Sequence, residues 1–172
     1  MLPGGVGDQL GRRSPNRRTA SIGEQLAVHP DSAVFTSLPR SGTVRAARLL
    51  AEIGDARGRF PTADSLACLA GVAPSTRQSG KVKAVIFRWG ADKQPRDALC
   101  DFAADTRHVN PWAAQLYDQA RARGHDHPHA VRILARAWVG GHLALLADNT
   151  PYDPAGHGAL QHLLQHDQTK AA

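Results

Sequence analysis

Apolar residues recur every three or four positions along most of this chain, a spacing that predicts helices and a mainly α fold. The clearest predicted helix covers residues 43–53 and ends before Gly54. Its apolar face is formed by Ala46, Leu49, Leu50 and Ile53.

The same spacing predicts further helices over residues 24–28, 65–70, 95–107, 111–124 and 128–147, and a last short helix in YDPAGHGALQHLL. Asp64 is the predicted cap of the second of these, and Gly71 its left-handed stop. Asn110 followed by Pro111 is a typical helix start. The inward side chains of the two long helices are predicted to be Trp112, Leu116, Ala120, Ile133, Leu134, Ala137, Trp138, Leu145 and Leu146.

The remaining segments predict little regular structure. Residues 1–22 carry Gly, Pro, Arg and Ser without an apolar period and are expected to be disordered. Residues 72–83 are predicted to form a loop, and residues 83–89 at most one short β segment. The expected fold is therefore a helix-hairpin-helix-like unit plus a small helical bundle.

Charge and composition narrow the function classes. The formal net charge is +6, the pI is near 10.0, and most of the cations are arginine, which favours polyanionic partners. Part of this excess also fits the amino-acid bias of a GC-rich genome. No apolar run reaches the roughly 20 residues of a membrane span, and no secretory signal is evident, so the expected location is the cytoplasm. Cys68 and Cys100 are expected to be small buried hydrophobes.

The segment LPRSGTV, residues 38–44, has the pattern of a DNA-backbone grip, in which a hydrophobe, Pro, Gly, a small residue and Gly precede a helix. Arg40 stands where the first glycine is expected, and a left-handed backbone there would cost about 1 kcal/mol. Arg40 could instead contact a phosphate directly. The other interpretation is a plain architectural turn. The candidate DNA-binding residues here are Arg40, Ser41, Gly42, Thr43 and Arg45.

A second candidate site surrounds Ser79, which precedes Gly80 in a cation-rich segment. A serine hydroxyl attacks phosphorus only when a base removes its proton or cations stabilise the developing charge. The cations are present but an obvious base is not, and on these grounds alone a solvated loop serine is the simpler interpretation. The candidate phosphate contacts are Arg77, Gly80, Lys81, Lys83 and Arg88.

Several motifs occur together in the order and spacing of a known family. They are LPRSGTVRAARLLAEIGDARGRFPTADSLACLAGVAPSTRQSGK, FRW, RDAL, NPWAAQLYDQARARGH, HAVRILARAW and YDPAGHGALQHLL. Over residues 29–164 the chain resembles the C-terminal domain of bacterial insertion-sequence transposases of the IS110 family, to which IS116 and IS902 belong. The implied limits are a linker-helix remnant at 23–37, the domain at 38–165 and a disordered tail at 166–172.

The resemblance implies a function for that domain in DNA transposition and recombination. Complete members pair it with an RNase-H-like domain whose carboxylates hold Mg²⁺, and a bridge RNA guides the DNA choice. The family's serine, which forms a covalent DNA intermediate, corresponds to Ser79, with Ser75 and Thr76 as less favoured alternatives. The implied partners are donor and target DNA, the bridge RNA, and further copies or a full-length transposase, in the bacterial cytoplasm at the nucleoid.

The chain also departs from the family pattern. Nothing in residues 1–37 resembles the RNase-H-like half, so we expect a truncated copy with no cofactor of its own, inactive alone. Whether it is itself an enzyme is left open. Two functions follow: a recombinase fragment that attacks through Ser79, or a non-catalytic nucleic-acid binder that is an inert remnant or inhibits full-length transposase.

Other constellations have structural interpretations. The histidines of HDHPH, residues 125–129, are predicted to form a solvated loop in preference to a metal site. Asp101 and Asp105 are expected on a solvated helix face near Arg107. Phe102 and the two helical tryptophans are expected in the core. The remaining histidines, His142, His157, His162 and His166, are expected at the surface or at helix caps.

Overall fold

The computed structural model describes residues 17–54, 58–79, 82–87 and 90–171, with backbone only for 17–18, 75–79, 82–87 and 167–171. The described chain is mainly helical, as the sequence predicted. Its helices are α1 (Arg17–Ala27), α2 (Ser32–Ser37), α3 (Gly42–Ile53), α4 (Ala63–Leu69), α5 (Lys93–Thr106), α6 (Pro111–Ala122), α7 (His127–Asp148) and α8 (Gly158–Ala171). A 3-10 turn covers Pro154–Gly156.

Both predicted disordered ends are partly wrong. Helix α1 begins at Arg17 and packs on α3, where its Leu26 is buried, so residues 17–22 are helical. Residues 1–16 lie outside the described part of the chain. At the other end, the predicted tail from 166 continues α8 as far as Ala171. The predicted linker remnant at 23–37 contains the end of α1 and all of α2.

The core lies between α7 and the helices that pack on it, α4, α5 and α6, and a second layer of α1 and α2 is joined through α3. Phe102 and Trp138 meet edge to face at 5.3 Å between ring centroids, and Trp112 packs edge to face on Trp138. The predicted aromatic core is therefore confirmed. Ala137 is an exception, because it lies exposed on the outer face of α7.

Helix α7 is long and apolar enough to cross a membrane. It joins two short apolar runs of the sequence, AVRILARAW and HLALLA, in one continuous helix. One face is buried against neighbouring helices through Leu134, Trp138 and Val139, and Arg136 on another face binds Asp64. These contacts are those of the central helix of a globular bundle.

Most of the predicted helix ends are confirmed. Gly54 and Gly71 end α3 and α4 with φ of 82° and 62°. Asn110 caps α6, where its side chain accepts a hydrogen bond from the Ala113 amide. Asp64 is not the cap, because Thr62 accepts the amide of Ser65 and Asp64 lies two residues later, inside the first turn of α4.

The segment between α4 and α5 is a β-hairpin. Strand β1 (Pro74–Ser79) pairs antiparallel with β2 (Val82–Phe87), so the predicted loop at 72–83 and the single β segment are corrected. Strand β1 reads PSTRQS and has no apolar alternation, and its extended form rests on the backbone ladder with β2. Beyond that pairing the strands make few contacts with the described helices.

The two cysteines are less buried than predicted. Cys68 is exposed, and Cys100 is partly buried, where desolvation raises the pKa of its thiol to about 11 against the smaller opposing effect of Arg132. The apolar spacing correctly predicted that both cysteines lie on helices, but it did not predict the exposed fraction of each side chain.

The predicted surface position of His142 is wrong, since this residue is only 2 % exposed. Its ring lies 4.9 Å from that of Phe102, and neither ring nitrogen has a hydrogen-bond partner among the described residues. His157 is also partly covered, and its Nδ1 lies 3.0 Å from the Tyr152 hydroxyl. His162 and His166 are exposed, as predicted.

Substituting His142→Leu should stabilise the fold by about 1–3 kcal/mol, because it removes an unpaired buried polar group. Burial lowers the pKa of His142 to about 4. In the unfolded chain His142 therefore binds a proton near pH 6.5, whereas in the folded chain it does so only near pH 4. The wild type should lose about 3 kcal/mol relative to the variant over that window. Urea unfolding at pH 7.5 and pH 4.5 measures this, and an equal pH response of both proteins would contradict it.

Candidate nucleic-acid interface

The turn before α3 has the backbone of a tight glycine turn although one glycine is missing. Arg40 and Gly42 both have left-handed backbones, with φ of 55° and 57°. Leu38 anchors the turn in the core, and the Ser41 amide donates to the Leu38 carbonyl at 3.0 Å. The predicted strain at Arg40 is therefore present, at about 1 kcal/mol for a residue with a Cβ.

Ser41 stands at the N-cap of α3, but its side chain makes no capping hydrogen bond. Its Oγ is buried and has no partner among the described residues. The first turn of α3 contains no acidic side chain. Because the first amides of a helix have no intrahelical acceptor, this end presents donors and a positive dipole that favour an anion.

Arg40 and Arg45 both bind Asp105 on α5. Arg40 Nε and Arg45 Nη1 lie 3.1 and 2.9 Å from the same oxygen, Asp105 Oδ2. Arg45 also donates to the Arg40 carbonyl, which secures the strained residue. The side chain of Arg40 is therefore already engaged, and the predicted solvated face at Asp105 is corrected to an interhelical contact.

The pKa of Asp105 reflects this contact. Partial burial by itself would raise the pKa of the carboxyl group, but the hydrogen bonds and charges of Arg40 and Arg45 outweigh it and hold the pKa below its usual value. The carboxylate therefore stays charged at neutral pH. One turn earlier on α5, Asp101 binds Arg48 at 2.8 Å, so it too is paired.

These side chains line an open groove of about 1050 Å³ between α3 and α5. Its described lining contains four guanidinium groups and two carboxylates, so the balance of charge among these residues is positive. Arg107, one of the four, is held by the Ala104 carbonyl and lies over the Tyr117 ring. The lining residues used here are Arg40, Ser41, Gly42, Thr43, Arg45, Arg48, Asp101, Asp105 and Arg107.

The five residues predicted from the turn are thus brought together. Arg48 and Arg107 are additional lining residues that the sequence analysis did not select. Arg48 could have been found, because it lies three residues after Arg45 and therefore on the same side of α3.

Ser79 lies at the end of β1, opposite Val82 in the hairpin. Arg77 is two residues earlier and belongs to the same face of the ladder, whereas Lys83 pairs with Gln78 and belongs to the other face. Gly80, Lys81 and Arg88 lie outside the described residues, as do the side chains of the strands.

The described residues do not fit a Mg²⁺ site. No group of three or more His, Cys, Asp or Glu among them lies close enough to hold a metal ion. The two groove carboxylates are each bound to arginine. Within HDHPH, His127 lies 2.7 Å from the Tyr117 hydroxyl, and His125 and His129 stack with ring centroids 4.1 Å apart.

Arg40→Gly and Arg40→Ala should differ in stability although both remove the contact with Asp105. Glycine adopts the left-handed backbone without a Cβ penalty, so the glycine variant should be more stable by about 1 kcal/mol. Urea unfolding of the two variants at neutral pH measures the difference. Equal midpoints would show that the turn is not held in this conformation in solution.

Comparisons with known proteins agree with the motif order of the sequence. The model of the transposase IS116/IS110/IS902 family matches residues 32–118, half of the chain and the stretch from α2 to α6. The insertion element IS110 uncharacterized 43.6 kDa protein of Streptomyces coelicolor is 38% identical over 141 residues, which cover 80% of this chain and 35% of the relative.

A second relative is the insertion element IS900 uncharacterized 42 kDa protein of Mycobacterium paratuberculosis. It is 32% identical over 137 residues, which cover 79% of this chain and 34% of the relative. The chain thus spans about a third of the length of the curated relatives it matches. The family match includes both the turn before α3 and the Ser79 hairpin. The chain belongs to the IS116/IS110/IS902 family of transposases.

Proposed function

We propose that this chain is the part of an insertion-sequence transposase that holds a DNA backbone and presents the attacking serine. The observation that carries the proposal is the groove at the α3 turn. Four guanidinium groups, a helix N-terminus and an unpartnered buried hydroxyl meet there. Phosphate oxygens accept from all three kinds of donor, and none of these contacts requires a particular base sequence.

The groove would bind the duplex through its phosphates. Each phosphate neutralised by arginine releases condensed cations, so affinity should fall steeply as salt rises. The net charge of +6 adds long-range attraction. Arg40 and Arg45 pair with Asp105, and Arg48 pairs with Asp101. Asp101 is 60% exposed against 27% for Asp105, so the Arg48 pair is the more easily exchanged for a phosphate.

Ser79 is the proposed nucleophile. Its Oγ would form a bond to phosphorus, the bond from phosphorus to one deoxyribose oxygen would break, and that oxygen would leave with a proton. Arg77 belongs to the same face of the ladder as Ser79 and is the residue proposed to stabilise charge on the phosphate. Gly80, Lys81, Lys83 and Arg88 remain proposed contacts beside it.

The complete reaction would need more than this chain. By family resemblance, a bridge RNA would select donor and target DNA, and Mg²⁺ would be held by an RNase-H-like domain. Among the described residues, no group of His, Cys, Asp or Glu side chains could hold that metal. Assembly with further copies, in the bacterial cytoplasm at the nucleoid, belongs to the same proposal.

A second function is a non-catalytic binder that assembles with full-length transposase and competes for its DNA. The observation that favours it is the make-up of the groove, whose described arginines and helix N-terminus can bind a phosphate without taking part in a reaction. Both functions predict salt-dependent DNA binding, and they differ in whether a covalent adduct forms.

Arg48→Gln should weaken binding of a labelled DNA duplex about three- to tenfold, because one phosphate contact is lost. The salt slope, which is the slope of log affinity against log salt concentration, should become shallower by about one ion. Arg123→Gln is the matched control, since Arg123 is exposed and does not line the groove. Fluorescence anisotropy at several salt concentrations measures both. If the two variants lose affinity equally, net charge alone accounts for binding.

Ser79→Ala should abolish a denaturation-resistant protein–DNA adduct, while Ser75→Ala should retain it. Ser75 is a suitable control because it lies on the same strand and the same face. The assay mixes the chain with a metal-competent RNase-H-like partner, its guide RNA and labelled DNA, followed by denaturing electrophoresis. Salt-dependent binding without an adduct would leave only the binder function, and an adduct in Ser79→Ala would reassign the nucleophile.

A further inference from the structure

The groove already contains an anion of its own, the carboxylate of Asp105. Arg40 Nε and Arg45 Nη1 converge on one oxygen of that carboxylate, at 3.1 and 2.9 Å. Two guanidinium groups that meet at a single acceptor form the arrangement that binds a phosphate oxygen. The carboxylate is 27% exposed, so it lies at the groove surface, within reach of a competing anion.

The carboxylate does not satisfy every donor beside it. Ser41 Oγ is buried without a hydrogen-bond partner among the described residues, and the Ser41 side chain does not cap α3. A phosphodiester has two unbridged oxygens at tetrahedral angles, and can accept from the guanidinium groups and from Ser41 or the helix amides together. Asp105, fixed on α5, bonds only to the two arginines among the described residues.

We propose that Asp105 is an internal competitor that occupies the phosphate subsite at the N-terminus of α3 and is displaced by a DNA backbone phosphate. The inference rests on the proposed function, because it identifies what regulates access to the same groove. In the free protein, the carboxylate keeps Arg40 and Arg45 ordered and offsets one of their two positive charges. A single small anion that replaces the Asp105 carboxylate gains little binding free energy. A duplex that also contacts Arg48 gains more, because several of its phosphates bind at once.

The alternative is that Asp105 supports the groove by holding Arg40 in its left-handed conformation. The two roles predict opposite effects of removing the charge. A competitor weakens DNA binding, so its loss increases affinity. A support preorganises the turn, so its loss decreases affinity.

Asp105→Asn should bind a labelled DNA duplex at least about fivefold more tightly than the wild type, and its salt slope should rise by about one to two ions as the two arginines become available. Asp64→Asn is the matched control. It makes the same change in net charge and also removes an ion pair with an arginine, Arg136, but neither residue lines the groove. Its affinity should change less than about twofold.

A second pair of proteins separates the competitor role from damage to the turn. In an Arg40→Gly background the left-handed residue needs no support from Asp105, and adding Asp105→Asn should still tighten binding, because Arg45 is released. Urea unfolding of each variant shows whether the fold is retained.

The outcomes distinguish this inference from the proposed function. Salt-dependent wild-type binding, with Asp105→Asn unchanged or weaker in both backgrounds, would overturn the competitor role and leave the proposed function standing. Tighter binding by Asp64→Asn to the same extent would also overturn it, because the effect would be one of net charge. If neither the wild type nor Asp105→Asn binds DNA at low salt, both the proposed function and the inference fail.

Discussion

The contact of Asp105 with Arg40 and Arg45 is the interaction that sets the state of the proposed interface when no DNA is bound. It joins α5 to the turn before α3, which contains the left-handed Arg40. Exposed ion pairs usually contribute less than about 1 kcal/mol, so its importance does not lie in overall stability. It sets the orientation of the Arg40 and Arg45 guanidinium groups beside the N-terminus of α3, where the first amides have no intrahelical acceptor.

The bundle supplies the rigid support for that contact. Helix α5 is fastened to α7 by Phe102 against Trp138 and by a hydrogen bond from the Trp138 indole to the Thr106 hydroxyl at 3.0 Å. Asp101 and Asp105 are four residues apart on this helix, and Arg45 and Arg48 are three apart on α3, so the two pairs face each other in register. The core thus determines the spacing of the charges in the groove.

The sequence predicted what depends on local spacing and could not predict what depends on distant partners. The α3 face, the glycine stops and the Asn110 cap follow from neighbouring residues and were confirmed. Asp105 lies 65 positions from Arg40, so no periodicity could pair them. Strand β1 is polar throughout and is extended because β2 pairs with it. Polarity also suggested that His142 is exposed, but its place on the inner face of α7 buries it. The role of Ser79 stays a prediction, because it rests on family resemblance and backbone register.

The most direct test of the central claim is an NMR titration of the backbone amides with a short DNA duplex at low salt. The amides of Ser41, Gly42 and Thr43, together with the side-chain signals of Arg45 and Arg48, should shift first and saturate together. These shifts should reverse when salt is added. Shifts that begin elsewhere, for example on α8, while the turn before α3 stays unchanged, would contradict it.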